Sequence, residues 1–227
     1  MTVIPKPLPC PLRPHTHPKA TMVCILATVM ILFGFLSEAC AARAAIVFAE
    51  MEKDDAESEA LEETLIVYTT TVQLSAYYSR FYWLTNTKAT KDNLIRTIQT
   101  AVNTYTTVDL YIIAHGGMQY LWGHYNDRFY VDDILGLKSL DHIERLRFVY
   151  LGSCHSWDLA DEFVEAGVTS AIGSAIKMTN FPFYPRFLNN FGARGLYLQT
   201  AVTLSHTPLV DDFRVCGKKY ITLRSGK

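Results

Sequence analysis

The sequence predicts an α/β fold, a three-layer α/β/α sandwich around a mostly parallel central sheet. Three observations point there. Strand-type and helix-type stretches alternate along the chain, the pattern of a parallel sheet covered on both faces. The strand-type stretches are unbroken apolar runs, such as Leu110–Ile113 and Phe148–Leu151, as expected of strands buried on both sides. The length, 227 residues, suits one domain with an appendage.

The appendage comes first. Met1–Thr21 is rich in proline and carries Lys6, Arg13 and Lys19. Met22–Leu36 (MVCILATVMILFGFL) has no charge. It is shorter than the roughly 20 residues of a membrane span, so it reads as a signal-peptide core. The small residues of SEACAARAA follow and place cleavage after Ala41 or Ala44, making residues 1–44 a leader. Left uncleaved, the segment would be a membrane tether through residues 22–49, because only Arg43 is charged between Ala39 and Ala49. Lipid attachment at Cys40 is a third option, against which Ser37 stands where such motifs carry leucine. Each version exports the domain to a secreted or periplasmic location or anchors it to a membrane.

Residues 45–63 read as an acidic linker, because Glu50–Glu63 holds eight acids and one lysine. A pro-segment covering a cleft is the alternative. The domain proper is expected over 64–227.

Within it, Thr64–Thr70 (TLIVYTT) reads as a short buried strand and Ser79–Thr85 as an aromatic edge strand. Leu94, Ile95, Ile98, Ala101, Val102 and Tyr105 recur at helical spacing behind Thr90, a suitable N-cap, with Asp92 in the first turn. VDLYIIAHGG is a buried strand that closes on His115, Gly116 and Gly117. MQYLWGHYNDRFYV reads as a β-hairpin and VDDILGLKSLDHI as helical. Leu146–Leu151 is a strand running into Gly152, Ser153 and Cys154, and SWDLADEFVEAG is a helix. VTSAIGS is a further strand, FPFYPRFLNNFGARGLYLQTAVTLSH holds one or two helices, and KKYITL reads as the last strand.

Composition narrows the function. A net charge of −1 gives no electrostatic case for nucleic acid. Of five cysteines only Cys154 and Cys216 lie beyond Cys40, which is no disulfide framework. His115, His124, His142, His155 and Cys154 show no zinc-ligand spacing, so no metal and no cofactor is expected.

The strand ends carry the chemistry. Ligands of open α/β sheets sit outside the carboxyl ends of the strands. Leu110–Ile113 runs to His115 and Phe148–Leu151 runs to Cys154, so neighbouring strands would project both side chains at one edge. A cysteine and a histidine so placed can carry out acyl transfer, the thiolate being favoured by a nearby imidazolium and by a helix N-terminus. Glycines after the histidine let backbone N–H groups approach a substrate oxygen. Taken singly, Cys154 reads as a buried apolar filler, His115 as a structural histidine and Gly116-Gly117 as a turn.

Four apolar residues, one spacer and His-Gly, then four apolar residues, one spacer, a small residue and Cys, resemble the paired signature of the caspase-like cysteine peptidases. That group includes caspases, metacaspases, legumain, gingipains, separases and the CHAT family. GSCHS is most similar to the metacaspase motif. The hairpin, ADEFVEAGVTSAIGS and GARGLYLQTAVTLSH are more similar to CHAT or gingipain-type domains. The likeness spans about Leu65 to Leu223. It implies a caspase-like fold with Cys154 as nucleophile and His115 as general acid/base. The N–H groups of Gly116 or Gly117 and of Cys154 would form the oxyanion hole. A protein or peptide would be the substrate. Two positions depart from metacaspases: Gly152 replaces an aspartate that helps bind basic residues, and Trp157 replaces a glycine. Arginine or lysine specificity is therefore not implied.

Trp122, Tyr125 and Trp157 are candidates to line a substrate cleft or, equally, to cap the sheet edge. Asp127, Asp158 and Asp161 are candidates for a pocket that takes a basic side chain, with solvated surface as the alternative. Two other functions are open. An α/β-hydrolase with a cysteine nucleophile would need His206, the only histidine beyond His155. A non-catalytic caspase-like interaction module would need neither histidine.

Overall fold

Nine strands are seen in the computed structural model, which describes residues 43–51, 56–177, 182–206 and 212–224. Six of them, β1 (Arg43–Glu50), β2 (Arg80–Thr85), β3 (Thr107–Ala114), β7 (Leu146–Gly152), β8 (Ser170–Ser174) and β9 (Phe213–Gly217), form the main sheet. Their order is β2-β1-β3-β7-β8-β9. All pairs are parallel except β8 with β9. The short strands β4 (Gly116–Gly117), β5 (Tyr120–Trp122) and β6 (Arg128–Tyr130) form a separate antiparallel sheet, the expected hairpin with one strand added.

Helices cover both faces, as the α/β/α expectation requires. Along β1, Ile46 and Phe48 pack to one side and Ala45 and Val47 to the other. Ile46 and Phe48 share a core with α2 (Lys91–Thr104), α3 (Val131–Gly136) and α4 (Trp157–Glu165) through Leu94, Ile98, Ile134, Leu159 and Phe163. Ala45 and Val47 share the other core with α1 (Ala56–Leu74), α5 (Phe183–Leu188) and α6 (Leu198–Ser205) through Ile66, Leu74, Phe187 and Val202. The α2 start is as read: the Thr90 side chain accepts from Asn93 N.

Three elements differ from the sequence reading. Arg43–Glu50, assigned to the end of the leader and the start of a linker, is a buried strand between β2 and β3. Its apolar run is of the same kind as those of β3 and β7, but it adjoins the apolar leader and merged with it by composition. Cleavage after Ala44 would cut inside this strand. A tether extending to residue 49 would have to draw residues 43–49 out of the sheet. The remainder of that expectation, Met1–Ala42, lies outside the described residues. Among those described, no helix is long and apolar enough to cross a membrane.

Thr64–Thr70, read as a strand, is part of α1. Ala and Glu are strong helix formers, and they dominate 56–63 just before it. The threonines adapt: Thr70 Oγ1 donates to Ile66 O (2.6 Å) and Thr71 Oγ1 to Val67 O (2.8 Å), each four residues back in the helix. The expected linker over 45–63 is thus strand at one end and helix at the other. The last strand is Phe213–Gly217 rather than KKYITL. It closes the sheet antiparallel to β8, with Cys216 opposite Ala171.

Candidate active site

The site is set by register. In the β3–β7 ladder Ile113 lies opposite Gly152. His115 and Cys154 each follow two residues later, so the chain delivers both to the same edge from neighbouring parallel strands. Both are half-buried. Neither Cys154 nor Cys216 is in a disulfide. The two thiols differ sharply. Cys216 lies in β9 at 4 % exposure, and burial, aided by the Asp161 carboxylate, pushes its pKa well up. Such a thiol is a core residue.

The turn after β7 is tightly fixed. Ser156 is buried, and its Oγ donates towards Ser153 O (2.8 Å) and Leu151 O (3.1 Å). The same Oγ accepts from Ser174 N (3.1 Å), which fastens the turn to the tip of β8. His155 has φ +52°, and its N–H donates to Ile176 O (3.1 Å). The reversal sends His155 out to solvent. The helix α4 begins at Trp157, three residues after Cys154. On the other side of the turn lies β4. A Cβ on Gly116 would overlap Ser153 Oγ and come within 2.8 Å of Tyr120 O, so only glycine allows this approach.

The histidine is held at two points. Its carbonyl accepts from Trp122 N (2.9 Å), and its Nε2 is 3.1 Å from Met51 O. A carbonyl only accepts, so this contact places the ring proton on Nε2 and leaves the lone pair of the neutral ring on Nδ1. Met51 directly follows Glu50, which ends β1 opposite Ala114. Glu50 is 4 % exposed, and its Oε2 lies 3.4 Å from His124 Nδ1. Sequence reasoning missed Glu50, Met51 and His124. The first two sat in the supposed linker, and His124 had no ligand spacing.

Four of the six cleft and pocket candidates, Trp122, Asp127, Trp157 and Asp158, separate. Trp122 stacks under the Arg128 guanidinium at 4.3 Å. The Asp127 carboxylate accepts from Lys91 N (2.6 Å) and so serves the first turn of α2. Trp157 opens α4 with Arg214 at 5.7 Å from its ring. Asp158 lines a cavity of about 520 Å³ with Asp132 and Glu162, walled by Met118 and Tyr130. Asp158 and Glu162 are four apart on α4, a spacing that the sequence contains. Burial and then the negative charges of Glu165, Asp161 and Asp158 raise the Glu162 pKa. Among the described residues no cluster of three or more His, Cys, Asp or Glu could hold a metal ion.

Comparison with known proteins adds the fold. No family model matches the chain, and no curated protein does. The crystal structure of the Arg specific cysteine proteinase gingipain R (RGPB) does, with a TM-score of 0.52 and 15 % sequence identity. The match covers 81 % of this chain and 48 % of that one. The fold is caspase-like. A complex of Porphyromonas gingivalis RgpB pro- and mature domains aligns at a TM-score of 0.45 and 15 % identity, over 74 % of this chain and 38 % of that one. The chain thus spans less than half the length of these two solved proteins. The fold shared with gingipain R lends no support to the CHAT branch.

Proposed function

We propose that this chain is a cysteine-type peptidase in which Cys154 is the nucleophile and His115 the general acid/base. The observation that carries the reading is the β3–β7 register, in which Ile113 pairs with Gly152, two residues before His115 and Cys154 respectively. The caspase-like fold, shared with a cysteine proteinase, supports it. So does the contrast between half-buried Cys154 and buried Cys216.

The chemistry follows from the ring orientation. His115 Nδ1 takes the Cys154 proton, and Sγ attacks the carbonyl carbon of a peptide bond. Backbone N–H groups of Cys154 and of Gly116 or Gly117 stabilise the oxyanion. The C–N bond breaks, the amine leaves with the proton from His115, and a thioester remains. Water then gives a proton to His115 and attacks the thioester. The acid departs and the thiol regains its proton. The Met51 carbonyl keeps the ring in the required tautomer throughout.

Iodoacetamide labelling of the full chain tests this, with the Cys154 peptide followed by mass spectrometry. Cys154 is expected to react at neutral pH while the protein is folded. His115→Ala should slow that reaction about 100-fold or more, and His206→Ala should leave it unchanged. Dependence on His206 would instead favour the hydrolase. A Cys154 that labels only on unfolding would make the chain a non-catalytic module.

A further inference from the structure

We propose that the amino end of the sheet carries a docking surface for an anionic lipid bilayer, built from Lys218, Lys219, Arg224, Arg194, Tyr197 and Tyr220. The sequence concentrates the charge. Beyond Glu165 the chain holds eight basic residues and two acids, Asp211 and Asp212. The structure then sorts these charges by end. Because β9 runs antiparallel to β8, it begins at the carboxyl edge, where Asp212 pairs with Arg214 (2.5 Å). It finishes at the amino edge, with Gly217 opposite Ser170, the first residue of β8. Lys218 and Lys219 follow at once, both exposed.

Backbone contacts gather the rest of the patch. The Lys218 N–H donates to Thr169 O (3.0 Å), that of Gln199 to Lys219 O (3.1 Å) and that of Leu198 to Ile221 O (2.9 Å). The last two set the start of α6 against the segment after β9, and Tyr197 meets Tyr220 edge-on at 5.9 Å. These rings are 53 % and 78 % exposed, so neither belongs to the core. Arg224 lies over Gly195 and donates to Ala193 O (3.2 Å). Beside it, exposed Arg194 donates to Asn190 Oδ1 (2.8 Å). Among the described residues none of these four cations forms an ion pair. The acids at this end, Asp141, Glu144 and Glu165, belong to the opposite face of the sheet. Their neighbours Ile143 and Phe163 pack in the core with α2, α3 and α4, whereas Leu198, Ile221 and Leu223 pack in the other core.

Cations beside exposed tyrosine rings suit a lipid headgroup layer. Lys and Arg are drawn to anionic lipid, and the amphipathic rings settle at headgroup level. The path of the chain favours a bilayer over an acidic protein. Arg43 starts β1 opposite Thr107, at this same amino end. The uncharged stretch Met22–Leu36 therefore joins the domain here, through residues 37–42. Docking by this end turns His115 and Cys154, beyond the carboxyl ends of β3 and β7, away from the lipid. The surface is independent of the dyad reading.

Vesicle co-sedimentation of the full chain tests the proposal, with phosphatidylcholine alone and with an equal mixture of phosphatidylcholine and phosphatidylserine. Wild type should prefer the mixed vesicles, and molar salt should abolish that preference. Lys218→Gln with Lys219→Gln should weaken binding to mixed vesicles about 25-fold, at about fivefold per cation. Binding to phosphatidylcholine alone, which reads what Met22–Leu36 contributes, should not change. Lys88→Gln with Lys177→Gln removes the same charge beyond the carboxyl ends of β2 and β8 and should change binding by less than about twofold. Melting temperatures of both double variants confirm folding. Equal wild-type binding to the two vesicle types overturns the proposal, and so does an equal fall in the two double variants. Salt-sensitive capture by polyglutamate without a preference for mixed vesicles also overturns it, and would make the surface one for an acidic protein.

Discussion

The two ends of the central sheet are built from the same strands and treat polar groups in opposite ways. At the amino end, Asp109 and Arg147 are 0 % and 1 % exposed. Arg147 grips both carboxylate oxygens, with Nε 3.0 Å from Oδ1 and Nη2 on Oδ2. Its Nη1 donates to Thr222 O, and Tyr78 Oη donates to Asp109 and meets Tyr111 Oη. A register shift in the β3–β7 ladder falls here, between Val108 and Asp109, so that Arg147 has no opposite number. At the carboxyl end, Ser153 Oγ and His124 Nε2 are buried with no hydrogen-bond partner among the described residues, beside half-buried His115 and Cys154. A buried charge is tolerated only when every valence is met, as at the amino end. The carboxyl end carries groups whose satisfaction is incomplete, and the candidate chemistry sits there. One end is built for stability and the other for use.

The comparison breaks first at Arg147. Arg147→Ala leaves the Asp109 carboxylate buried and unpaired, at a cost of about 3 to 5 kcal/mol. Urea denaturation measures it, and a loss below about 1 kcal/mol would mean that the pair is not the closed network described.

Alkali gives the next largest effect. Burial, and then the Asp109 carboxylate, raise the pKa values of Tyr78 and Tyr111 far above the usual tyrosine range. The folded state keeps these protons where the unfolded chain has lost them, so stability falls as pH rises. The fall begins near pH 8.5 with Cys216 and steepens above about pH 10, each group contributing about 1.4 kcal/mol per pH unit. Tyr78→Phe should give a shallower slope and His115→Ala the same slope as wild type. Urea midpoints from pH 8 to 11 decide this. A flat profile would contradict the buried tyrosine pair.

The smallest effect sharpens the contrast. Ser153→Ala removes a hydroxyl that has no hydrogen-bond partner among the described residues, so stability should stay within about 0.5 kcal/mol of wild type or rise. A melting curve showing a clear loss would mean that the hydroxyl is satisfied, and the two ends would then be more alike than described.

The sheet strands that were legible are those whose apolar runs stand between polar stretches. Leu110–Ile113 and Phe148–Leu151 are such runs, and they hold the central β3 and β7. The α2 helix was legible because Leu94, Ile98, Ala101 and Val102 repeat at helical spacing behind a capping threonine. Thr64–Thr70 was misread because β-branched residues favour strands locally, whereas the helix-forming residues ahead of it extend α1 through them. The final strand was placed too late because Phe213–Gly217 alternates around the exposed Arg214 and is short.

The sequence by itself determined the alternation of strands and helices, and it put a histidine and a cysteine just beyond two buried runs. Those are local properties, written in periodicity and in the residue that ends each run. Only the tertiary structure decided that Arg43–Glu50 is the strand beside β3, that Met51 offers its carbonyl to His115, and that His124 meets Glu50. Parallel pairing joins segments far apart in the chain through backbone hydrogen bonds that any side chain permits. Such pairing leaves no local pattern, so the neighbours of the site became visible only once the sheet order was known.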